Sequence, residues 1–157
     1  MVRTLRACGL IATILGLLFA SSAIASPRGR LRATATEDFV STGCSFTPSP
    51  SADLCGTAKT KGFGKATIET VITSFAPLPS GCFADTHTST LHFKRDDNSL
   101  VLDISGTLCP TGGPNFTFSG GYTVAGGTGD FAGATGSGSA TSVRQDGPIV
   151  EEFSGTI

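Results

Sequence analysis

Between Cys82 and Cys109 the chain reads FADTHTSTLHFKRDDNSLVLDISGTL, two alternating runs about a charged turn, and this stretch limits the possible folds more than any other. With Lys94-Arg95-Asp96-Asp97 as a four-residue loop, Phe93 faces Asn98 and the register of the whole pair follows. Leu91 then faces Leu100, Ser89 faces Leu102, His87 faces Ile104 and Phe83 faces Leu108 on one side. The other side carries Thr90 with Val101, Thr88 with Asp103, Thr86 with Ser105 and Ala84 with Thr107. One largely apolar and one largely polar face is the pattern of an antiparallel pair covering a core. The same register sets Cys82 opposite Cys109, where Cβ atoms lie about 4.5–5.5 Å apart, so that a local adjustment brings them within disulfide range.

The rest of the chain repeats this pattern. After residue 25 no stretch places apolar residues at helical spacing, whereas β-branched and aromatic alternation recurs between Gly, Pro, Asp and Asn breaks. Strands are expected near 33–40, 64–75, 83–94, 99–108, 116–124, 132–143 and 149–157. Seven segments, with room for an eighth, specify an all-β sandwich or antiparallel barrel.

The first 25 residues are of another kind. Arg3 and Arg6 precede an apolar run from Leu10 to Ala20, and small residues stand at Ala23 and Ala25. This is the pattern of a secretory signal peptide cleaved after Ala25; the run falls short of the roughly 20 apolar residues of a spanning helix, and no later stretch approaches that length. Removing 25 of the 157 residues leaves 132, the size of one domain. Residues 26–32 are expected to be a flexible N-terminal segment containing Arg28, Arg30 and Arg32, and residues 33–157 the β-barrel domain.

Cleavage removes two of the 11 basic residues and leaves nine against 12 acidic ones, a net charge of −3. That balance argues against a nucleic-acid partner, which needs a concentrated basic surface. Cys8 is lost as well, leaving an even set of Cys44, Cys55, Cys82 and Cys109, as suits two disulfides in an oxidising compartment, secreted or periplasmic. With Cys82 matched to Cys109, the second bridge is Cys44 to Cys55, closing a Pro- and Ser-rich loop that has no core of its own. No Cys-x-x-Cys pair and only two histidines argue against zinc, and no metal or cofactor is expected.

Candidate chemistry is sparse. GGTGDFAGATG, Gly126 to Gly136, contains the relaxed dinucleotide fingerprint G-x-G-x-x-G/A, with Glu151 and Glu152 near the distance of a ribose-binding acid. The helix that fingerprint needs is absent, because three glycines within 133–139 would each cost about 1 kcal/mol in one. No Gly-Lys-Ser/Thr follows for a phosphate loop and no G-x-S-x-G elbow exists. His92 falls on the polar face of the hairpin and reads as solvated.

His87 and Asp85 fall on the apolar face, two residues apart on one strand. Such a pair can do general acid–base work, or can satisfy a local hydrogen bond at a barrel mouth. Tyr122, the only tyrosine, shares parity with Phe116, Phe118 and Val124 and is expected to pack in the core with its hydroxyl on a polar partner. Asp85, His87 and Tyr122 are thus the weak catalytic candidates. Asn115-Phe116-Thr117 matches the glycosylation acceptor, relevant only in a host that glycosylates secreted proteins.

The stretch FSGGYTVAGGTGDFAGATGSGSA, Phe118 to Ala140, resembles the Gly-Gly-Thr-Gly-x-Phe-x-x-Ala-x-Gly signature of the dirigent and allene oxide cyclase-like barrel proteins, especially small secreted bacterial relatives. The matching positions are Gly126, Gly127, Thr128, Gly129, Phe131, Ala134 and Gly136. The resemblance implies an eight-stranded antiparallel up-and-down barrel of the calycin kind with an apolar cavity, often oligomeric, in relatives that cyclise an oxylipin epoxide or steer radical coupling. It carries over no catalytic residue, since the signature covers a structural turn.

Both lines lead to a barrel. Ala134, Gly136, Gly138 and Ala140 share one face of the 132–143 segment; pointing inward they leave space for a ligand or for larger side chains, pointing outward they admit close packing by another subunit. The first expectation is a secreted, disulfide-stapled barrel that binds a small apolar molecule or a partner without chemistry, possible homo-oligomers included. The alternatives are a cofactor-independent isomerase, cyclase or radical-coupling director, and a structural envelope or surface protein.

Overall fold

The computed structural model describes residues 29–46, 52–94 and 97–157. The expected signal peptide, its cleavage point and Arg28 lie outside these residues. Eight strands form one sheet: β1 (Arg30–Phe39), β2 (Leu54–Thr60), β3 (Gly64–Pro77), β4 (Phe83–Phe93), β5 (Ser99–Gly112), β6 (Asn115–Thr128), β7 (Ser137–Arg144) and β8 (Ile149–Thr156). Each pairs antiparallel with the next, and β8 pairs with β1 to close an up-and-down barrel.

The hairpin of β4 and β5 has the register read from its alternation: Leu91 opposite Leu100, Ser89 opposite Leu102, His87 opposite Ile104, Phe83 opposite Leu108. Both disulfides are formed as expected, Cys44 to Cys55 and Cys82 to Cys109. Near the first, Phe46 meets the ring of His92 edge-on at 6.2 Å. His92 is therefore partly covered, with Glu69 3.3 Å from its Nε2, rather than freely solvated as its polar face suggested.

Several bounds differ from expectation: β5 and β6 each run four residues beyond their expected ends at 108 and 124, to Gly112 and Thr128, and three further differences concern β1, β2 and β7. β1 begins at Arg30, inside the segment taken as flexible, because Leu31 starts the inward row Leu31, Ala33, Ala35, Glu37 and is fully buried. β2 was not expected as a strand: its inward row Leu54, Gly56, Ala58, Thr60 holds a single large residue, too weak an alternation to mark a strand before its pairing with β1 and β3 is known. β7 starts at Ser137 rather than 132, because Gly129–Phe131 forms one turn of 3-10 helix with Gly129 at φ 57°.

That turn plugs one end of the barrel. Phe131 is 2% exposed, stacked on Phe93 at 5.0 Å and edge-on to Phe63 at 5.2 Å. Asp130, inside the glycine stretch, accepts from the Asn98 amide and donates its backbone N–H back to it, so the stretch is pinned to the β4–β5 turn.

The small residues of β7 do face inward, but side chains fill the space. Gly138 lies beside Gly155, and a Cβ on Gly138 would sit 2.6 Å from Tyr122 Cε1. Phe118 covers the opposed pair Gly106 and Gly120 in the same way, with Cβ atoms there falling 2.7 and 2.9 Å from its Cζ. Each ring thus lies where two strands have given up their side chains. The middle of the lumen is packed.

Candidate functional site

The opposite end of the barrel is built differently. Here β1, β5 and β7 end while β4, β6 and β8 begin, and the inward rows carry Glu37, Thr70, Asp85, His87, Ser89 and Glu151, all buried. Strand alternation explains how a single line of residues reaches this place: Asp85, His87 and Ser89 are successive inward positions of β4, and Thr70 stands opposite Ser89 on β3. Next to His87 the β3 strand carries a bulge at Thr73, which shifts the register between Ile72 and Ser74. Bulges of this kind re-aim side chains at barrel rims.

His87 is the centre of the cluster. Its Nδ1 lies 3.2 Å from Asp85 Oδ2 and its Nε2 3.4 Å from Glu151 Oε1, while Phe118 meets its ring edge-on at 5.4 Å. Burial alone would lower the imidazole; the hydrogen bonds and negative charge of Asp85 and Glu151 outweigh it and raise His87 to about 9. At neutral pH the ring is an imidazolium donating from both nitrogens.

Glu37 completes the floor from β1. Burial first, and then repulsion by Glu151, raise its carboxyl to about 8, although Thr70 and His87 partly offset them. Glu37 is therefore mostly protonated at pH 7. Thr70 donates to this carboxyl at 3.2 Å and shares a 2.7 Å hydrogen bond with Ser89. Among the described residues one buried side-chain polar atom has no partner: Asp85 Oδ1.

Above this floor lies a cavity of about 50 Å³, bounded by Phe39, Leu54, Ile72, Leu108, Phe116 and Ile149 on its apolar side. Phe39 is 52% exposed, and Phe75, stacked on Phe83 at 4.4 Å, is 50% exposed at the same end. Arg144 lies over the Phe39 ring, 5.3 Å from its centre. The site is an apolar rim around a small polar well.

Two of the three residues singled out from sequence meet here. Asp85 and His87 touch; Tyr122 does not join them, since its ring packs against Phe153 and its hydroxyl donates to the Thr156 carbonyl at 3.2 Å, with burial raising its pKa. Of the residues expected in a structural turn, Gly126, Gly127 and Thr128 instead end strand β6, paired with β5, and Gly129 and Phe131 lie in the 3-10 turn that follows at the far end. Asn115 exchanges hydrogen bonds with Asp146 and so ties the β5–β6 turn to the β7–β8 turn.

Sequence reasoning missed Glu151 as a partner of His87 and Glu37 as a member of the same cluster. Their parity carried the signal: Glu37 continues the inward row of Leu31, Ala33 and Ala35, and Glu151 stands between the inward residues Ile149 and Phe153. Among the described residues no group of three or more His, Cys, Asp or Glu side chains is arranged to hold a metal ion. No protein-family model, curated protein or solved structure matches the chain.

Proposed function

We propose that this barrel is exported and binds a small, largely apolar molecule at its open end, with the apolar body on the rim and a polar head directed into the well. The observation that carries the reading is the exposure of Phe39 and Phe75 beside a buried well that holds an unpartnered carboxylate oxygen. Soluble domains rarely keep large aromatics exposed around a concavity without an occupant. The packed interior makes the rim, not the centre of the lumen, the place for the ligand.

Export is supported by the signal-like residues 1–25 and by two disulfides, which persist in oxidising compartments. N-terminal sequencing of the purified protein should begin at Ser26; a start at Met1 counts against export. Kinship with the dirigent and allene oxide cyclase-like barrels belongs to the same reading, supported by the Gly126–Gly136 signature and the closed eight-strand topology.

Nile red, a neutral apolar dye, tests the binding reading. The folded protein should bind it saturably at one per chain, and Phe39→Ser or Ile72→Ser should weaken binding at least about tenfold, in line with the loss of roughly 1.5–3 kcal/mol of apolar contact. Absence of saturable binding by a protein that keeps its native near-ultraviolet circular dichroism overturns it. Dimerisation that Phe39→Ser abolishes would instead make the rim an interface between two copies.

A second reading is a cofactor-independent isomerase or cyclase, and Asp85 Oδ1 favours it as the one unengaged acceptor able to take a proton beside an imidazolium able to give one. With a turnover assay, Asp85→Asn and His87→Ala separate the two: catalysis is lost while Nile red binding persists.

A further inference from the structure

We propose that the head group received by the well is a primary ammonium, so that the ligand class is an apolar primary amine. This rests on the binding reading above and adds the chemistry of the floor. Size is the first argument. A cavity of about 50 Å³ has room for roughly three to five water-sized groups, which admits an ammonium and its methylene but leaves a ring or long chain outside against Phe39, Ile72 and Phe116.

Hydrogen-bond accounting is the second. Both nitrogens of His87 are engaged by Asp85 and Glu151, and the Thr70 hydroxyl by Glu37 and Ser89. The atom left over is an acceptor, Asp85 Oδ1, on a residue only 6% exposed that lines the cavity. An entering head group must donate a proton to it; a carbonyl, ether or carboxylate cannot.

Charge is the third argument. Two acidic side chains, Asp85 and Glu151, share the single basic group His87, and the acid Glu37 lies in the same floor. Acidic groups thus outnumber basic ones in a space that water reaches poorly. A water or an alcohol would satisfy Asp85 Oδ1 and leave that imbalance standing, whereas an ammonium answers both. A divalent ion is a poorer occupant, because the carboxylates are turned to His87 and Thr70 and converge on no common centre.

Three probes that share one apolar body test the proposal. 2-Phenylethylamine, 2-phenylethanol and 3-phenylpropionate are titrated calorimetrically into the folded protein at pH 7 and low salt. The amine should bind at least about tenfold more tightly than the alcohol, and the carboxylate more weakly than either. Asp85→Asn, which keeps the shape and removes the charge, should bring the amine within about threefold of the alcohol. Should that variant not fold, Glu151→Gln removes a charge of the same well without touching Asp85 and should narrow the same ratio, and the ranking on the wild-type protein stands without either. Alcohol binding as tight as amine binding overturns the ammonium and leaves the apolar site in place. Failure of all three probes overturns both.

Discussion

His87 and Glu37 each hold a proton in the folded barrel that the unfolded chain releases at lower pH. For Glu37 the carboxyl rises from 4.5 to about 8, so its contribution to stability is present below pH 4.5 and is lost as pH rises toward 8. For His87 the imidazole rises from 6.5 to about 9, and stability is lost between those values. Both act in the same direction. The barrel should be more stable at pH 5 than at pH 9, by at most about 5 kcal/mol from Glu37 and about 3 kcal/mol from His87 across their windows. Thermal unfolding followed by circular dichroism at pH 5, 7 and 9 checks this, and a midpoint that rises with pH contradicts it. Glu37→Gln mimics the protonated acid and should flatten the fall between pH 5 and 8 while leaving that of His87. Tyr122→Phe, by contrast, removes one hydrogen bond to Thr156 and should cost about 1 kcal/mol at any of these pH values. At this scale the sequence showed half of the site. Asp85 and His87 were visible because they interrupt the apolar face of a hairpin whose register could be worked out, whereas Glu37 and Glu151 lie on strands whose neighbours are fixed only by closure of the sheet.

The strands were legible where alternation is strong and obscure where residues are small. The β4–β5 pair could be placed residue by residue from its large inward side chains, and the disulfide from Cys82 to Cys109 followed from it. The middle of β2 and the start of β7 offered mostly Gly, Ala, Ser and Thr, whose conformation is decided by what packs on them. The opposed glycines are a test of that dependence. Gly138→Ala would place a Cβ 2.6 Å from the Tyr122 ring and 2.7 Å from Gly155 Cα, and should destabilise by about 1–3 kcal/mol or more in denaturant titration. A neutral result would mean that Tyr122 swings freely off the glycine pair. The two disulfides span 11 and 27 residues of sequence, so replacing Cys44 and Cys55 with alanine should cost roughly 3 kcal/mol and replacing Cys82 and Cys109 slightly more. Equal loss of the open end's binding in both variants would show that the two bridges brace the rim together.

The two ends of the molecule divide its tasks. One is plugged by Phe63, Phe93 and Phe131 and gives the barrel a dry anchor; the other leaves charged groups at the bottom of a shallow well. Phe131→Ala should therefore cost about 3–5 kcal/mol of stability and leave Nile red affinity per folded molecule unchanged, measured below the unfolding temperature. Loss of affinity by a folded Phe131→Ala protein would show that the ends are coupled through the packed middle. The seam between β1 and β8 has a consequence of a different kind. In a strand order that simply follows the chain, each new strand pairs with the one before it as soon as it is made, and only the outer edge of β1 must wait for the last. Until Ile149–Thr156 has emerged, the growing sheet presents two unsatisfied borders, β1 and β7, open to any other nascent chain. The dangerous interval for this protein is thus the time before β8 exists, and a ribosome that stalls just short of it leaves a product primed to aggregate.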